Sequence, residues 1–148
     1  MKLIKYPDPL LKKECVKVEI DDELKKWLDK FLKFLQTSKE LKWGNIAGLA
    51  APQVGKNIRV FYAFGQLFIN PTCLWLPKAG WEIKQEGCFS LEEGKFDYKV
   101  RRAYAITISW QDIDGEIHEQ RFNGFKAQIL QHELNHLDGK TCVDLNDN

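Results

Sequence analysis

The sequence predicts an α+β fold, with small and mostly antiparallel sheets packed around a C-terminal helix and preceded by an N-terminal amphipathic helix. Three observations predict it. Apolar residues recur at three- and four-residue steps near the two ends of the chain, over 24–35 and 125–137. Short β-branched and aromatic runs fill the middle, and an Asp114-Gly115 pair divides two segments as a tight hairpin turn does. The 148 residues suit one domain, spanning 1–148, that buries about two thirds of the surface its unfolded chain exposes. The 22 basic side chains nearly balance 21 acidic ones, which leaves no electrostatic footprint for nucleic acid or an anionic membrane. No window approaches the roughly 18 apolar residues of a membrane span, and no apolar stretch follows the first lysine as in a signal peptide. A cytoplasmic protein is expected, and Cys15, Cys73, Cys88 and Cys142 are too scattered for a disulfide framework.

The elements follow in order. Tyr6-Pro7-Asp8-Pro9 reads as an extended or turn segment forming a surface arm, because a residue before proline is pushed out of the helical region. Asp21 or Asp22 caps a helix running to about Thr37, with Leu24, Trp27, Leu28, Phe31, Leu32 and Leu35 as its core stripe. The small, glycine-punctuated run over 44–55 lets the backbone pass close to another group. Runs 58–64, 67–70, 73–76 and 81–85 read as short strands separated by Gly65, by Pro71, and by Pro77 with Gly80. Tyr104, Ile106, Ile108 and Trp110 alternate with smaller residues, and 116–122 returns beside them. Helical spacing resumes over 124–137, with Phe125, Ile129, Leu130, Leu134 and Leu137 facing a core and Gly139 placed to end the helix.

That last helix carries the chemistry. Gln131 to His136 reads QHELNH, so His132 and His136 lie one turn apart on one face, where two imidazoles converge on a metal ion. Glu133 beside them would act on a water at the ion's open side. The plainer reading is two polar positions next to a core stripe. A third ligand has several possible sources. Asp138, Asp144 and Asp147 follow too closely for a thermolysin-like zincin, and the metzincin pattern HExxHxxGxxH holds to Gly139 but would put its last histidine at Cys142. Upstream, Glu86-Gly87-Cys88-Phe89-Ser90 offers a thiol beside a glycine, although an isolated cysteine is commonly a small buried hydrophobe.

Three segments, Gly48-Leu49-Ala50-Ala51-Pro52-Gln53, Glu86 to Ser90 and Gln131 to His136, together resemble the GxGLAAPQ, EGCLS and QHExDH motifs of the peptide deformylases. The resemblance extends through Tyr6-Pro7-Asp8-Pro9, Phe68-Ile69-Asn70-Pro71, His136-Leu137-Asp138-Gly139 and Val143-Asp144. It implies a metal-dependent hydrolase that removes the N-formyl group from the formyl-methionine of nascent polypeptides and releases formate. Cys88, His132 and His136 would hold one divalent metal ion, Fe(II) natively, with nickel, cobalt or zinc also accommodated. Hydroxide on that metal would attack the formyl carbon, with Glu133 as general base and acid, and the Gln53 amide and Phe89 N–H would stabilise the oxyanion. By the same resemblance the backbone at Ala47, Gly48 and Gly87 pairs with an extended peptide, and Ile129 and Leu130 wall the methionine pocket. Glu86 and Arg102 resemble an ion pair of the family that holds the cysteine loop, the alternative being a solvated surface pair. The partners implied are formyl-methionyl peptides and nascent chains at the ribosome, with the protein a monomer.

Four departures qualify the resemblance. Ile46 replaces the first glycine of the first motif, Phe89 replaces leucine, and Asn135 replaces the aspartate of the third motif, where an amide still orients a ligand but carries no charge. The chain also stops where many bacterial members begin a further helix, which suggests a short, phage-type member working in a host cytoplasm. The rival readings are a catalytically impaired metal-containing peptide-binding module, an HExxH zinc protease and a structural zinc site.

Overall fold

The computed structural model describes residues 1–42 and 46–147. Gly44 and Asn45, which open the small-residue run, lie outside the described residues. Helix α1 (Asp22–Thr37) starts where Asp21 Oδ1 accepts the Leu24 N–H at 2.8 Å, satisfying one of the amides a helix start leaves unpaired. It buries Leu24, Leu28, Phe31, Phe34 and Leu35, and Trp27 stacks on Phe31 at 5.0 Å between ring centroids.

Seven strands follow: β1 (Gly48–Ala50), β2 (Val60–Ala63), β3 (Gln66–Trp75), β4 (Glu82–Glu86), β5 (Tyr98–Arg102), β6 (Ala105–Gln111) and β7 (Ile117–Asn123). Five of them form an antiparallel sheet in the order β1-β2-β3-β6-β7, and β4 pairs with β5 apart from it. Helix α2 (Gly124–Leu137) packs on β1, β2, β6 and β7. Phe61, Phe68, Ile106, Ile108, Leu130, Leu134 and Leu137 form the core between them. A second cluster joins α1 to Leu49 of β1 and to Phe89, so β1 is packed from both sides. No helix among the described residues is long and apolar enough to cross a membrane.

The expected elements are present with three corrections. Pro71 does not divide two strands, because β3 runs through it with a register shift between Ile69 and Thr72, a bulge that accommodates a residue with no N–H to donate. Asn70, at φ 50°, supports the bulge with its amide, donating to Val18 O at 2.8 Å and Gln111 Oε1 at 2.9 Å and accepting from Val18 N–H at 2.9 Å. β5 lacks an alternating apolar pattern and was not foreseen. The arm at Tyr6-Pro7-Asp8-Pro9 is on the surface, with Pro7, Asp8 and Pro9 exposed, but it is anchored around them: Leu3 and Leu11 are buried, Ile4 N–H donates to Gln53 O at 2.7 Å, and Tyr6 N–H donates to Ser90 O at 2.8 Å. It therefore straps together the first two sequence motifs. Phe125 is 62% exposed rather than in the core, since it lies on the first turn of α2. Gly139 ends that helix at φ 77°, where a Cβ would lie 2.6 Å from Lys12 O.

Candidate metal centre

Helix α2 carries His132 and His136 on one face, and the loop after β4 brings Cys88 against them. Cys88 Sγ lies 3.4 Å from His136 Nε2, and the two Nε2 atoms are 3.2 Å apart. All three residues are buried, and their donor atoms fall within 4.8 Å of one another. His132 Nδ1 lies 3.0 Å from Glu86 Oε1. A carboxylate accepts only, so the proton belongs on Nδ1 and Nε2 turns a bare lone pair toward the other two atoms. Converging lone pairs in a buried spot repel one another unless a shared proton or a metal ion lies among them. Nitrogen ligands at about 2.0–2.1 Å and a thiolate at about 2.3 Å around a tetrahedral ion stand roughly 3.3–3.6 Å apart. The donor set therefore fits a divalent metal. Two other groupings of potential ligands occur among the described residues. One, Glu86 with His132 and Cys142, already has the Arg102 guanidinium against its carboxylate, and the other, Asp112 with Glu116 and His118, surrounds an exposed ion pair of 2.7 Å.

The ligands are held from behind. Arg102 grips buried Glu86 with two bonds, Nε to Oε2 and Nη2 to Oε1, both 2.7 Å. Gln128 Nε2 adds a third at 3.2 Å to Oε2. Burial pushes the Glu86 carboxyl up, but Arg102 and then His132 outweigh it and hold the group well below the usual carboxylate range. Glu86 is thus charged and able to orient the His132 ring. Arg102 Nη1 also donates to Asn135 Oδ1, so the neutral residue of the third motif keeps the contact without a second carboxylate. His136 is depressed well below its ordinary range by burial and by the neighbouring charge of His132. His132 moves the other way, as Cys142, Cys88 and Glu86 outweigh its burial.

Glu133 is 2% exposed, and its Oε2 has no hydrogen-bond partner. Burial pushes its carboxyl up to about 7, against the opposing charge of His132. Its other oxygen packs on Gly48, where an added Cβ would lie 2.8 Å from Oε1, which accounts for the glycine in β1. Gln53 is fixed in one orientation: Oε1 accepts the Ala50 N–H at 2.9 Å, leaving Nε2 to face Cys88 Sγ at 3.4 Å and Ser90 Oγ at 3.1 Å.

A cleft of about 220 Å³ opens onto this centre, and Ala47, Gly48, Gly87 and Ile129 line it together with Gln53, Cys88, Phe89, His132 and Glu133. Leu130, expected as a second pocket wall, is fully buried in the main core. Adjacent helical residues point about 100° apart, so Ile129 and Leu130 cannot share one wall. The cleft also uses Phe96, Phe125, Gln85 and Gln128, which sequence reasoning missed. Phe125 stands four residues before Ile129, a spacing that places both on one face, whereas nothing near Phe96 in the sequence marks it. Ile46 and the Phe89 ring pack in the α1 cluster, where both departures from the usual motif residues find apolar neighbours.

A buried thiol and two imidazoles beside a protonatable carboxylate, at the base of an open cleft, are the set of groups a metal-dependent hydrolase uses. Comparison with known proteins sharpens this. The polypeptide deformylase family model matches residues 1–148. Peptide deformylase from Dictyoglomus thermophilum is 36% identical over 144 residues, covering 95% of this chain and 88% of that protein. The crystal structure of peptide deformylase from Thermotoga maritima superposes with a TM-score of 0.86 at 29% identity, covering 99% and 97% of the two chains. Peptide deformylase from Plasmodium falciparum, solved with an inhibitor, gives 0.85 at 33% identity, covering 99% and 90%. The chain belongs to the peptide deformylase family, enzymes that remove the N-formyl group from nascent peptides with the aid of a divalent metal.

Proposed function

We propose that Cys88, His132 and His136 hold one divalent ion, Fe(II) natively, and that this chain, a single-domain monomer, deformylates formyl-methionyl peptides emerging from the ribosome. One observation carries the reading: three metal-binding atoms converge within 4.8 Å at a cleft that also exposes Glu133 and Gln53. A divalent ion held by Cys88, His132 and His136 would supply Lewis acidity and lower the pKa of a water there. Glu133, whose carboxyl lies near neutrality, takes the proton of the attacking water and passes it to the leaving nitrogen as the C–N bond breaks, giving formate and a free amine. Gln53 has its oxygen committed to Ala50, so its N–H₂ group is oriented in advance toward the developing oxyanion, with the Phe89 N–H as second donor. The extended peptide lies along the β1 edge at Ala47 and Gly48 and against Gly87.

Formate release from formyl-Met-Ala-Ser by anaerobically prepared, iron- or nickel-loaded protein tests this. Turnover is expected with metal, is lost on chelation and returns when metal is restored. A folded, loaded protein that binds the peptide without releasing formate would make the chain a peptide-binding module instead.

A further inference from the structure

Gln128 stands one turn before His132 on α2, is half-buried, and lines the cleft. Its Nε2 donates to Glu86 Oε2 at 3.2 Å and to Gln85 O at 3.4 Å. Both partners accept only, so turning the amide over would set its oxygen against a carboxylate and a carbonyl. The orientation is therefore dictated by chemistry, and it leaves Oε1 as an acceptor with no partner among the described residues. Ala47, Phe96, Phe125 and Ile129 supply apolar walls of the same cleft. A polar atom that becomes covered by a bound peptide costs free energy unless the peptide supplies a donor. An extended peptide carries such donors in its backbone N–H groups.

We propose that Gln128 is a specificity-determining residue of the cleft: its Oε1 accepts a backbone N–H of the peptide downstream of the formylated residue, while its Nε2 braces Glu86. The amide thereby links the bound chain to the carboxylate that orients His132. This rests on the deformylase reading above.

The test crosses two variants with peptides. Formyl-Met-Ala-Ser amides methylated at each downstream backbone nitrogen in turn are compared on the metal-loaded protein, on Gln128→Met and on Gln128→Glu. In the unaltered protein one N-methyl group is expected to raise KM about fivefold to tenfold, a typical loss for one hydrogen bond. Gln128→Met, compared at equal metal content because it also removes the Glu86 brace, should show a similar rise in KM with the unmethylated peptide and should lose sensitivity to that one methyl group. Gln128→Glu keeps the acceptor and should keep the sensitivity, while the repulsion it sets up against Glu86 weakens metal retention, read by competition with a chelator. Additive effects at every nitrogen would overturn the proposal. So would loss of fold or metal in both variants, which would make Gln128 a structural brace alone. If the unaltered, loaded protein releases no formate at all, the deformylase reading itself fails.

Discussion

Helices α1 and α2 are similar in length, 16 and 14 residues, yet they solve burial in opposite ways. Every residue α1 buries is apolar, Leu24, Leu28, Phe31, Phe34 and Leu35. α2 buries Ala127, Leu130, Leu134 and Leu137, and with them Gln131, His132, Glu133 and His136. A buried polar group is tolerated when it is paired. Gln131 is paired fully, accepting from Ala103 N–H and donating to Ala103 O and Ala127 O, each at 2.9 Å. His132 has Glu86. The exceptions are instructive: Glu133 Oε2 and His136 Nδ1 are buried without a partner, and both belong to residues whose side chains face the candidate centre. α1 is buried for stability, whereas α2 gives up stability at Glu133, where chemistry needs a carboxylate oxygen free to act.

The sharpest way to break this contrast is Glu133→Gln. If Glu133 is kept for chemistry, the amide should lower kcat by about 10³-fold, within the range of general acid–base catalysis, while metal content stays unchanged. Stability should move the other way. Burial raises the folded-state carboxyl from 4.5 to about 7, so the folded protein holds its proton at pH values where the unfolded chain releases it. Glutamate therefore costs increasing stability as pH rises from about 4.5 through 7. In metal-free protein the gain in melting temperature from Glu133→Gln should be absent at pH 4 and grow toward pH 8. A variant less stable at pH 8 than the parent would show that Glu133 supports the fold.

The same contrast explains what the sequence reveals. The α1 stripe is plain because periodicity reports apolar burial, and α1 lies where spacing puts it. The ligand pair on α2 is equally plain because histidines four apart occupy one face. Cys88 gains meaning only beside the other motifs, and the structure sets its sulfur 3.4 Å from His136. What stayed hidden is tertiary. β5 has alternate positions that carry charge, since Arg102 faces inward to Glu86. Phe96 reaches the cleft by the path of the loop between β4 and β5, and Leu130 was misjudged because its neighbour Ile129 takes the wall. The anchoring of the N-terminal strap follows from backbone bonds to Gln53 and Ser90, which side-chain patterns do not encode.

Arg102→Met probes the pairing that makes the polar face of α2 tolerable. The Arg102 and Glu86 side chains are 4% and 3% exposed, so removing the cation leaves a charged carboxylate buried with incomplete partners. A loss of about 3–5 kcal/mol in urea unfolding is expected, with metal affinity lowered about 10–100-fold because Glu86 no longer holds the His132 ring. Adding Glu86→Gln to Arg102→Met should recover part of the stability and none of the metal affinity. Undiminished stability in the single variant would mean that Glu86 protonates and needs no cation.

The smallest effect belongs to α1. Asp21→Ala removes the acceptor that meets Leu24 N–H at 2.8 Å and the negative charge beside the positive end of the helix dipole. Loss of such a cap costs about 1 kcal/mol, read as a lower urea midpoint with unchanged slope. Metal content, kcat and KM should stay where they are, because α1 meets the cluster that holds Phe89 through Phe31, Phe34 and Leu35, beyond its first turn, and Leu24, packed with Leu28 and Ala51 in a separate cluster, keeps that packing when one cap bond is lost. A fall in kcat at constant metal content would mean that the first turn of α1 sets the position of the Phe89 peptide and its N–H. α1 would then belong with α2 among the elements that trade stability for catalysis.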